Sequence, residues 1–166
     1  MSEKLPLKMR RKDRQITQIT DIEAIIKKAD VCRIAFADNN TPYMVAMNFG
    51  YVRGNPSRLY FHCANTGRKI DLIRKNNYVC FQMDTDHVLV PGEIACDYTM
   101  TFQSVVGYGR IHILTENEEK IVGLNLLMGQ YTEKDEWTYE ESMLKRTTVL
   151  RLDIETLTAK RKDDLS

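Results

Sequence analysis

The amino-acid sequence predicts a mainly β domain, a β-barrel with flanking helices. Short runs rich in β-branched and aromatic residues follow one another along most of the chain, and clusters of Gly, Pro, Asn and Asp separate several of them. Only three stretches carry apolar residues at the spacing of an amphipathic helix. The sequence shows no internal repeat and no low-complexity segment, so one domain accounts for its 166 residues.

Six stretches are predicted strands, at residues 31–37, 43–52, 58–63, 78–83, 99–114 and 148–157. Tight turns at 38–42 and 53–56 join the first three. Parallel pairing would need a crossover of about a dozen residues or more, so these three strands are expected to form an antiparallel meander. The segment around Trp137 is expected to be irregular or weakly helical.

Two of the predicted helices begin with a capping-box pattern, in which a threonine precedes a glutamate by three residues. Thr20 and Glu23 form the first pattern, and Thr115 and Glu118 form the second. In a capping box, the threonine oxygen accepts a hydrogen bond from a free backbone N–H of the first turn. Helices are therefore expected to start at these two threonines.

Charge and hydropathy exclude several classes of protein. The 24 Lys and Arg residues nearly balance the 23 Asp and Glu residues, so no overall field attracts nucleic acid. Residues 1–19 are interpreted as a basic N-terminal arm and residues 20–166 as a single domain. No apolar run approaches the roughly 18 residues that cross a membrane, and the first fourteen residues lack the apolar centre of a secretion signal. A cytoplasmic protein without a membrane partner is expected.

No metal site is predicted from the cysteines and histidines. The residues Asp84-Thr85-Asp86-His87 are of types that bind metals, but consecutive loop residues rarely converge on one ion, so a solvated turn is expected there. The cysteines form no C-x-x-C pair and are interpreted as buried free thiols. They stand far apart in the sequence, at Cys32, Cys63, Cys80 and Cys96.

The clearest functional pattern is a strand that runs into Asn65-Thr66-Gly67-Arg68-Lys69 and then into the third predicted helix. Asn65 or Thr66 can cap this helix. A helix start presents free backbone N–H groups and the positive end of the dipole, and Arg68 and Lys69 add two charges. The segment either holds a phosphate group or is a surface helix that begins with two solvated basic residues. Spacing alone leaves both interpretations open.

Residues 59–72 (LYFHCANTGRKIDL) resemble the phosphate segment of the pyridoxamine-phosphate-oxidase-like flavin split barrels, and within that superfamily the nitroimidazole-resistance proteins. The resemblance spans nearly the whole chain in the same order. Further matching stretches are residues 9–14 (MRRKDR), 98–110 (YTMTFQSVVGYGR) and 146–154 (RTTVLRLDI).

This resemblance implies a six-stranded antiparallel split barrel that dimerises and holds two flavin mononucleotide (FMN) molecules at the subunit interface. FAD is the lesser alternative, because an open cleft could leave its adenylate in solvent. The cofactor-binding residues implied are Thr66, Gly67, Arg68 and Lys69 at the phosphate, Val45, Ala46, Met47 and Asn48 along the isoalloxazine ring, His62, Cys63 and Ala64 beside the cofactor, and Gln82 and Ser104 on neighbouring strands.

The implied activity is that of a flavin-dependent reductase that passes hydride to a small electrophile such as a nitroimidazole. His62 is the candidate catalytic residue, because imidazole exchanges protons near neutral pH; a strand histidine held for packing is the alternative. The competing function is non-catalytic binding or storage of flavin or haem, since no nicotinamide-binding sequence is recognisable. Trp137 either covers a neighbouring subunit's flavin or packs a loop onto the barrel, and His112 is expected at the surface or an interface.

Overall fold

A single antiparallel sheet contains all the described strands in the computed structural model, which describes residues 9–134 and 136–163. Four helices and a 3-10 turn at Lys12–Arg14 accompany the sheet in this part of the chain. The strands are β1 (Gln15–Ile16), β2 (Cys32–Asp38), β3 (Thr41–Met47), β4 (Gly50–Val52), β5 (Arg58–Ala64), β6 (Tyr78–Val90), β7 (Thr99–Leu114) and β8 (Thr147–Lys162). The helices are α1 (Ile19–Lys28), α2 (Arg68–Lys75), α3 (Asn117–Tyr131) and α4 (Glu141–Arg146).

The order of strands across the sheet is β3-β2-β6-β7-β8-β5-β4, with β1 paired to β8. All of these pairs are antiparallel. Six strands have seven or more residues, whereas β1 and β4 have two and three. The sheet does not close, because β3 and β4 lie at its two ends. The predicted mainly β, six-stranded antiparallel split architecture with flanking helices is confirmed.

The two antiparallel pairings predicted for the first three strands are present, β2 with β3 and β4 with β5, but the predicted middle strand is not continuous. The stretch 43–52 forms two strands, because Asn48 and Phe49 leave the sheet between β3 and β4. The Phe49 side chain is fully buried, and its backbone N–H donates to the Tyr131 hydroxyl of α3 at 3.1 Å instead of to a strand. As a result β3 pairs with β2, and β4 pairs with β5 at the opposite end of the sheet.

Both predicted capping boxes are also wrong. The N-cap residues are Gln18 for α1 and Glu116 for α3, and neither makes a side-chain cap bond. The Gln18 carbonyl already accepts the Ile22 N–H at 3.2 Å, so α1 has begun before Thr20 can cap it. The Thr115 hydroxyl donates to the Glu116 carboxylate at 3.1 Å and not to the helix backbone.

Two strands extend beyond their predicted ends, because the sixteen-residue β7 offers a long partner on each side. The extension of β6 takes in Asp86 and His87, for which a solvated turn was expected. They interrupt the pairing inside β6, where the register shifts between Thr85 and Val88 and Asp86 has a positive φ of 61°. The segment around Trp137 is irregular up to Glu140, as predicted, and α4 follows it; Asp135 lies outside the described residues.

The core lies on one face of the sheet, against α1 and α2. These helices bury Ile22, Ile25 and Ile26, and Ile70, Leu72 and Ile73, respectively. Ile16 of β1 is also part of this core at 7 % exposure, so the end of the predicted basic arm is joined to the sheet. Lys4 and Lys8 of that arm lie outside the described residues.

The four thiols are unpaired but not equally buried. Cys32 is buried and Cys63 and Cys80 are half-buried, whereas Cys96 is exposed in the loop between β6 and β7. The expectation of buried thiols is therefore wrong for Cys96, because the loop that carries it lies outside the apolar strand pattern.

Helix α3 packs closely on β4 at Gly50. A Cβ atom at Gly50 would lie 2.4 Å from the backbone carbonyl carbon of Leu126 and from the backbone nitrogen of Leu127. Glycine therefore lets the two backbones meet, and this contact holds α3 beside the break between β3 and β4.

We expect Gly50→Ala to lower the free energy of unfolding by about 1–3 kcal/mol, because the added methyl group would push the backbones of β4 and α3 apart. Gly129→Ala is the matched control in α3, since a Cβ there meets nothing within 4 Å. It should raise stability by about 0.5–1 kcal/mol. Urea denaturation measures both variants, and wild-type stability of Gly50→Ala would contradict the close approach of α3.

Candidate functional site at the open side of the sheet

The sheet stays open between the free edge of β3 and the end of β5 that β4 does not cover, and we call this opening the split. At one end, Asn48 and Phe49 connect β3 to β4, and β4 pairs with β5. At the other end, Arg68 contacts residues of the β2–β3 hairpin. Among the described strands β3 pairs only with β2. The N–H and C=O groups on its outer edge are therefore available to a ligand between the β3–β4 connection and Arg68.

Arg68 makes a hydrogen bond and a ring contact to the β2–β3 hairpin. One of its guanidinium nitrogens donates to the Asp38 carboxylate at 3.1 Å. The guanidinium carbon lies 4.6 Å from the centroid of the Tyr43 ring, a cation–π contact. The Arg68 side chain remains about half exposed, at 51 %. Its positive charge is therefore held in place and still reachable from solvent.

The start of α2 differs from the predicted cap. Gly67, with a φ of 129°, is the N-cap residue, and its carbonyl accepts the N–H groups of Ile70 and Asp71 at 2.9 and 3.2 Å. The expectation that Asn65 or Thr66 caps the helix is wrong, because the positive φ required here favours glycine. A Cβ at Gly67 would meet nothing within 4 Å, so open space adjoins the free N–H groups of the first turn.

Asn65 anchors the loop before α2. Its side-chain nitrogen donates to the Lys145 carbonyl at 2.8 Å, and its side-chain oxygen accepts the Thr148 hydroxyl at 2.9 Å. The buried Lys120 ammonium of α3 donates to the neighbouring Leu144 carbonyl. Two side chains thus satisfy consecutive carbonyls at the end of α4. No local sequence pattern signals this role of Asn65, because its partners lie about eighty residues away along the chain.

His62, Cys63 and Ala64 form the end of β5, opposite Val149, Thr148 and Thr147 of β8. Side chains alternate along a strand, so His62 and Ala64 lie on the exposed face, whereas Cys63 packs against the core. Burial raises the pKa of the Cys63 thiol, and the nearby Lys69 ammonium opposes that rise. Of the three side chains, His62 is the one that is both polar and exposed.

The predicted ring-binding strand lies at the edge of the split. Val45 and Met47 pack against the core, and Ala46 lies on the exposed face. Asn48 follows the end of β3. The outer N–H and C=O groups of this stretch, more than its side chains, are therefore free to bind a ligand.

Gln82 and Ser104 lie away from the split, on β6 and β7. The Gln82 amide donates to Asp84 at 2.7 Å and accepts from Arg33 at 3.3 Å. Ser104 is 7 % exposed, and its hydroxyl has no partner among the described residues. The register aligns Gln82 with Arg33 and Ala46 across three adjacent strands, about 10 Å from β3. Gln82 thus lies two strands from β3, on the same side of the sheet as Ala46, and Ser104 lies on the strand beyond it.

Asp84 is the centre of a polar network that the sequence analysis did not identify. Its carboxylate pairs with the Arg33 guanidinium at 2.6 Å and with the His87 imidazole at 2.9 Å. These residues lie on neighbouring strands or in the interrupted part of β6, and no sequence motif signals their contact. No cluster of three or more His, Cys, Asp or Glu residues in the described ranges could hold a metal ion.

Other singled-out side chains lie outside the split. His112 is half-exposed on β7, with a ring nitrogen 3.6 Å from Asp153. Trp137 is half-buried beneath the Lys134 ammonium, 4.6 Å from its ring centroid. Across the described residues, no helix is both long enough and apolar enough to cross a bilayer.

An antiparallel sheet that stays open between two edges, with a helix start in the opening, defines a split barrel. The sequence profile of pyridoxamine 5'-phosphate oxidase matches residues 19–161. The chain therefore belongs to the pyridoxamine 5'-phosphate oxidase family.

Solved structures support this assignment. A proposed 5-nitroimidazole antibiotic resistance protein from Bacteroides thetaiotaomicron is 32 % identical, with a TM-score of 0.78 over 89 % of this chain and 86 % of that one. The FAD and haem binding protein from Mycobacterium smegmatis is 13 % identical, with a TM-score of 0.80 over 90 % and 74 %. Flavocytochrome Anf3 from Azotobacter vinelandii is 18 % identical, with a TM-score of 0.77 over 95 % and 76 %. No curated protein sequence matches the chain.

We expect Asn65→Ala to destabilise the protein by about 1–2 kcal/mol, because it leaves the Lys145 carbonyl and the Thr148 hydroxyl without their partner. Hydrogen exchange should accelerate in the loop before α2. Lys145→Ala is the control, since it removes a surface side chain and keeps the backbone acceptor. Unchanged exchange in Asn65→Ala would show that the two bonds do not hold the loop.

Proposed function

We propose that this chain binds FMN in the split, with the flavin phosphate at the start of α2. The observation that carries the proposal is the meeting of Arg68, Lys69, a left-handed Gly67 and open space at one helix N-terminus. Free N–H groups and the helix dipole favour an anion there, and the two basic side chains add full charges. Thr66 and Gly67 complete this loop.

The isoalloxazine ring would lie along the free edge of β3, from Val45 to Asn48. The N–H and C=O groups of that edge can pair with the polar edge of the ring, as an added strand would. The small side chain of Ala46 leaves space on the exposed face. When bound, FMN supplies the hydride chemistry, and the protein binds and orients it.

We infer that the bound flavin serves a reductase whose acceptor is a small planar electrophile, of which a nitroimidazole is the example. The support is the 32 % identical relative named for 5-nitroimidazole resistance. His62 is the proposed proton donor, because its exposed imidazole lies on the strand that leads into the phosphate loop. Its partner across the sheet, Val149, offers no proton of its own.

The competing proposal is binding or storage of a cofactor without turnover. It is favoured by the similar structure named as an FAD and haem binding protein and by the lack of a recognisable nicotinamide-binding sequence. FAD remains the alternative flavin, since the start of α2 opens to solvent and could leave an adenylate outside the split.

We also propose that two copies of the chain assemble as a homodimer. The end of the β6–β7 hairpin carries large exposed apolar side chains, which a second copy would cover: Val88, Leu89, Ile94, Tyr98 and Met100. A monomeric mass in analytical ultracentrifugation, with flavin bound, would contradict this assembly.

Replacing both Arg68 and Lys69 by alanine should weaken FMN binding about 100-fold and leave riboflavin binding nearly unchanged, because the lost charges address only the phosphate. Fluorescence titration with each flavin measures the two affinities. The Arg74→Ala and Lys75→Ala double variant removes two charges from the other end of α2 and is the matched control. Equal losses for FMN and riboflavin would contradict the phosphate assignment.

His62→Gln should retain FMN and lower the rate of anaerobic nitroimidazole reduction about 100-fold, because it removes the proton donor. His112→Gln is the control, because His112 is a strand histidine that lies away from the split. Stopped-flow mixing with NADH or NADPH tests turnover itself. Bound flavin that reacts no faster than free FMN, with no other reductant supporting activity, would favour the storage protein.

A further inference from the structure

We propose that Asp38 and Tyr43 are positioning residues that hold Arg68 in the orientation that binds the flavin phosphate. This inference rests on the proposed function. It adds two residues from the β2–β3 hairpin that carry no positive charge and that no sequence pattern links to the phosphate loop.

The contacts fix the guanidinium from two directions. Asp38 accepts one N–H bond at 3.1 Å, and the guanidinium carbon lies over the Tyr43 ring, 4.6 Å from its centroid. A free arginine loses considerable rotamer freedom when it binds an anion. Because Asp38 and Tyr43 already restrict Arg68, less of that freedom remains to be lost when the phosphate arrives.

The geometry indicates a bridging arginine and not a sequestered one. A carboxylate that captures an arginine fully takes two parallel N–H bonds, whereas a single bond to Asp38 is formed here among the described residues. The guanidinium has five N–H donors in a fixed fork. Most of these N–H donors therefore remain available to a phosphate at Gly67, because about half of the Arg68 side chain is exposed.

The hairpin itself is held rigidly enough to do this. Asp38 is paired with Thr41 and Tyr43 with Phe36 in the β2–β3 register. Phe36 is 2 % exposed in the core, and its ring lies 6.0 Å from that of Tyr43. The two groups that hold Arg68 are thus fixed through the sheet to the hydrophobic core.

Positioning and simple electrostatics predict opposite effects of removing the Asp38 charge. Asp38 is an anion beside a site for another anion, so charge alone predicts that Asp38→Asn tightens FMN binding. If Asp38 instead orients Arg68, the same substitution weakens binding although it removes a repulsive charge. The sign of the change therefore tests the proposal.

We expect Asp38→Asn to weaken FMN binding about fivefold and Tyr43→Leu about threefold, with riboflavin binding unchanged. In an Arg68→Ala background, Asp38→Asn should no longer weaken FMN binding, because its effect passes through Arg68. Fluorescence titrations on the full chain give these affinities, and thermal melts establish that each variant is folded.

Asp71→Asn is the matched control. It removes a carboxylate from the first turn of the same helix, where Asp71 pairs with Arg74 at 3.7 Å and forms no ion pair with Arg68 among the described residues. FMN binding should not weaken in this variant.

Wild-type or tighter FMN binding in both Asp38→Asn and Tyr43→Leu would overturn the positioning role and leave the phosphate site intact. Weakening by Asp38→Asn that persists without Arg68 would overturn that role as well. A wild-type protein that binds FMN no better than riboflavin would overturn the phosphate site and the role of Asp38 together.

Discussion

The departure of the chain from the sheet at Asn48 and Phe49 is the constraint on which the site depends. Burial of Phe49 beneath α3 and the bond from its N–H to Tyr131 prevent β3 from continuing into β4. Each strand then pairs at a different end of the sheet. An edge that would otherwise be paired is left open beside the start of α2, and the fold creates a binding surface by not closing.

The sequence predicts the parts of this fold that depend on local patterns. The alternation along residues 99–114 identifies β7 to the residue, and the apolar spacing after Gly67 identifies the inward face of α2. The break at Asn48 and Phe49 was missed because neither residue is a glycine or proline. Its cause is a contact with Tyr131, far away along the chain, which no window of sequence contains.

The same distinction holds at the candidate site. Arg68 and Lys69 are visible in the sequence because they adjoin a glycine and a helix start. Asp38 lies thirty residues from Arg68, and the Lys145 carbonyl lies eighty from Asn65. A backbone carbonyl acceptor cannot be recognised from the residue type that carries it. A single aspartate in a predicted hairpin is interpreted as a turn residue. The groups that bind can be predicted here, whereas the groups that orient them require the fold.

The anchoring of Asn65 has a consequence for how this chain can vary. Its acceptor at Lys145, like the Leu144 acceptor of Lys120, is a backbone carbonyl, so substitutions in α4 leave both bonds possible. A deletion or insertion between Leu144 and Thr148 would move the acceptors out of reach. Among homologues, the length of this junction should therefore be far more constant than its composition.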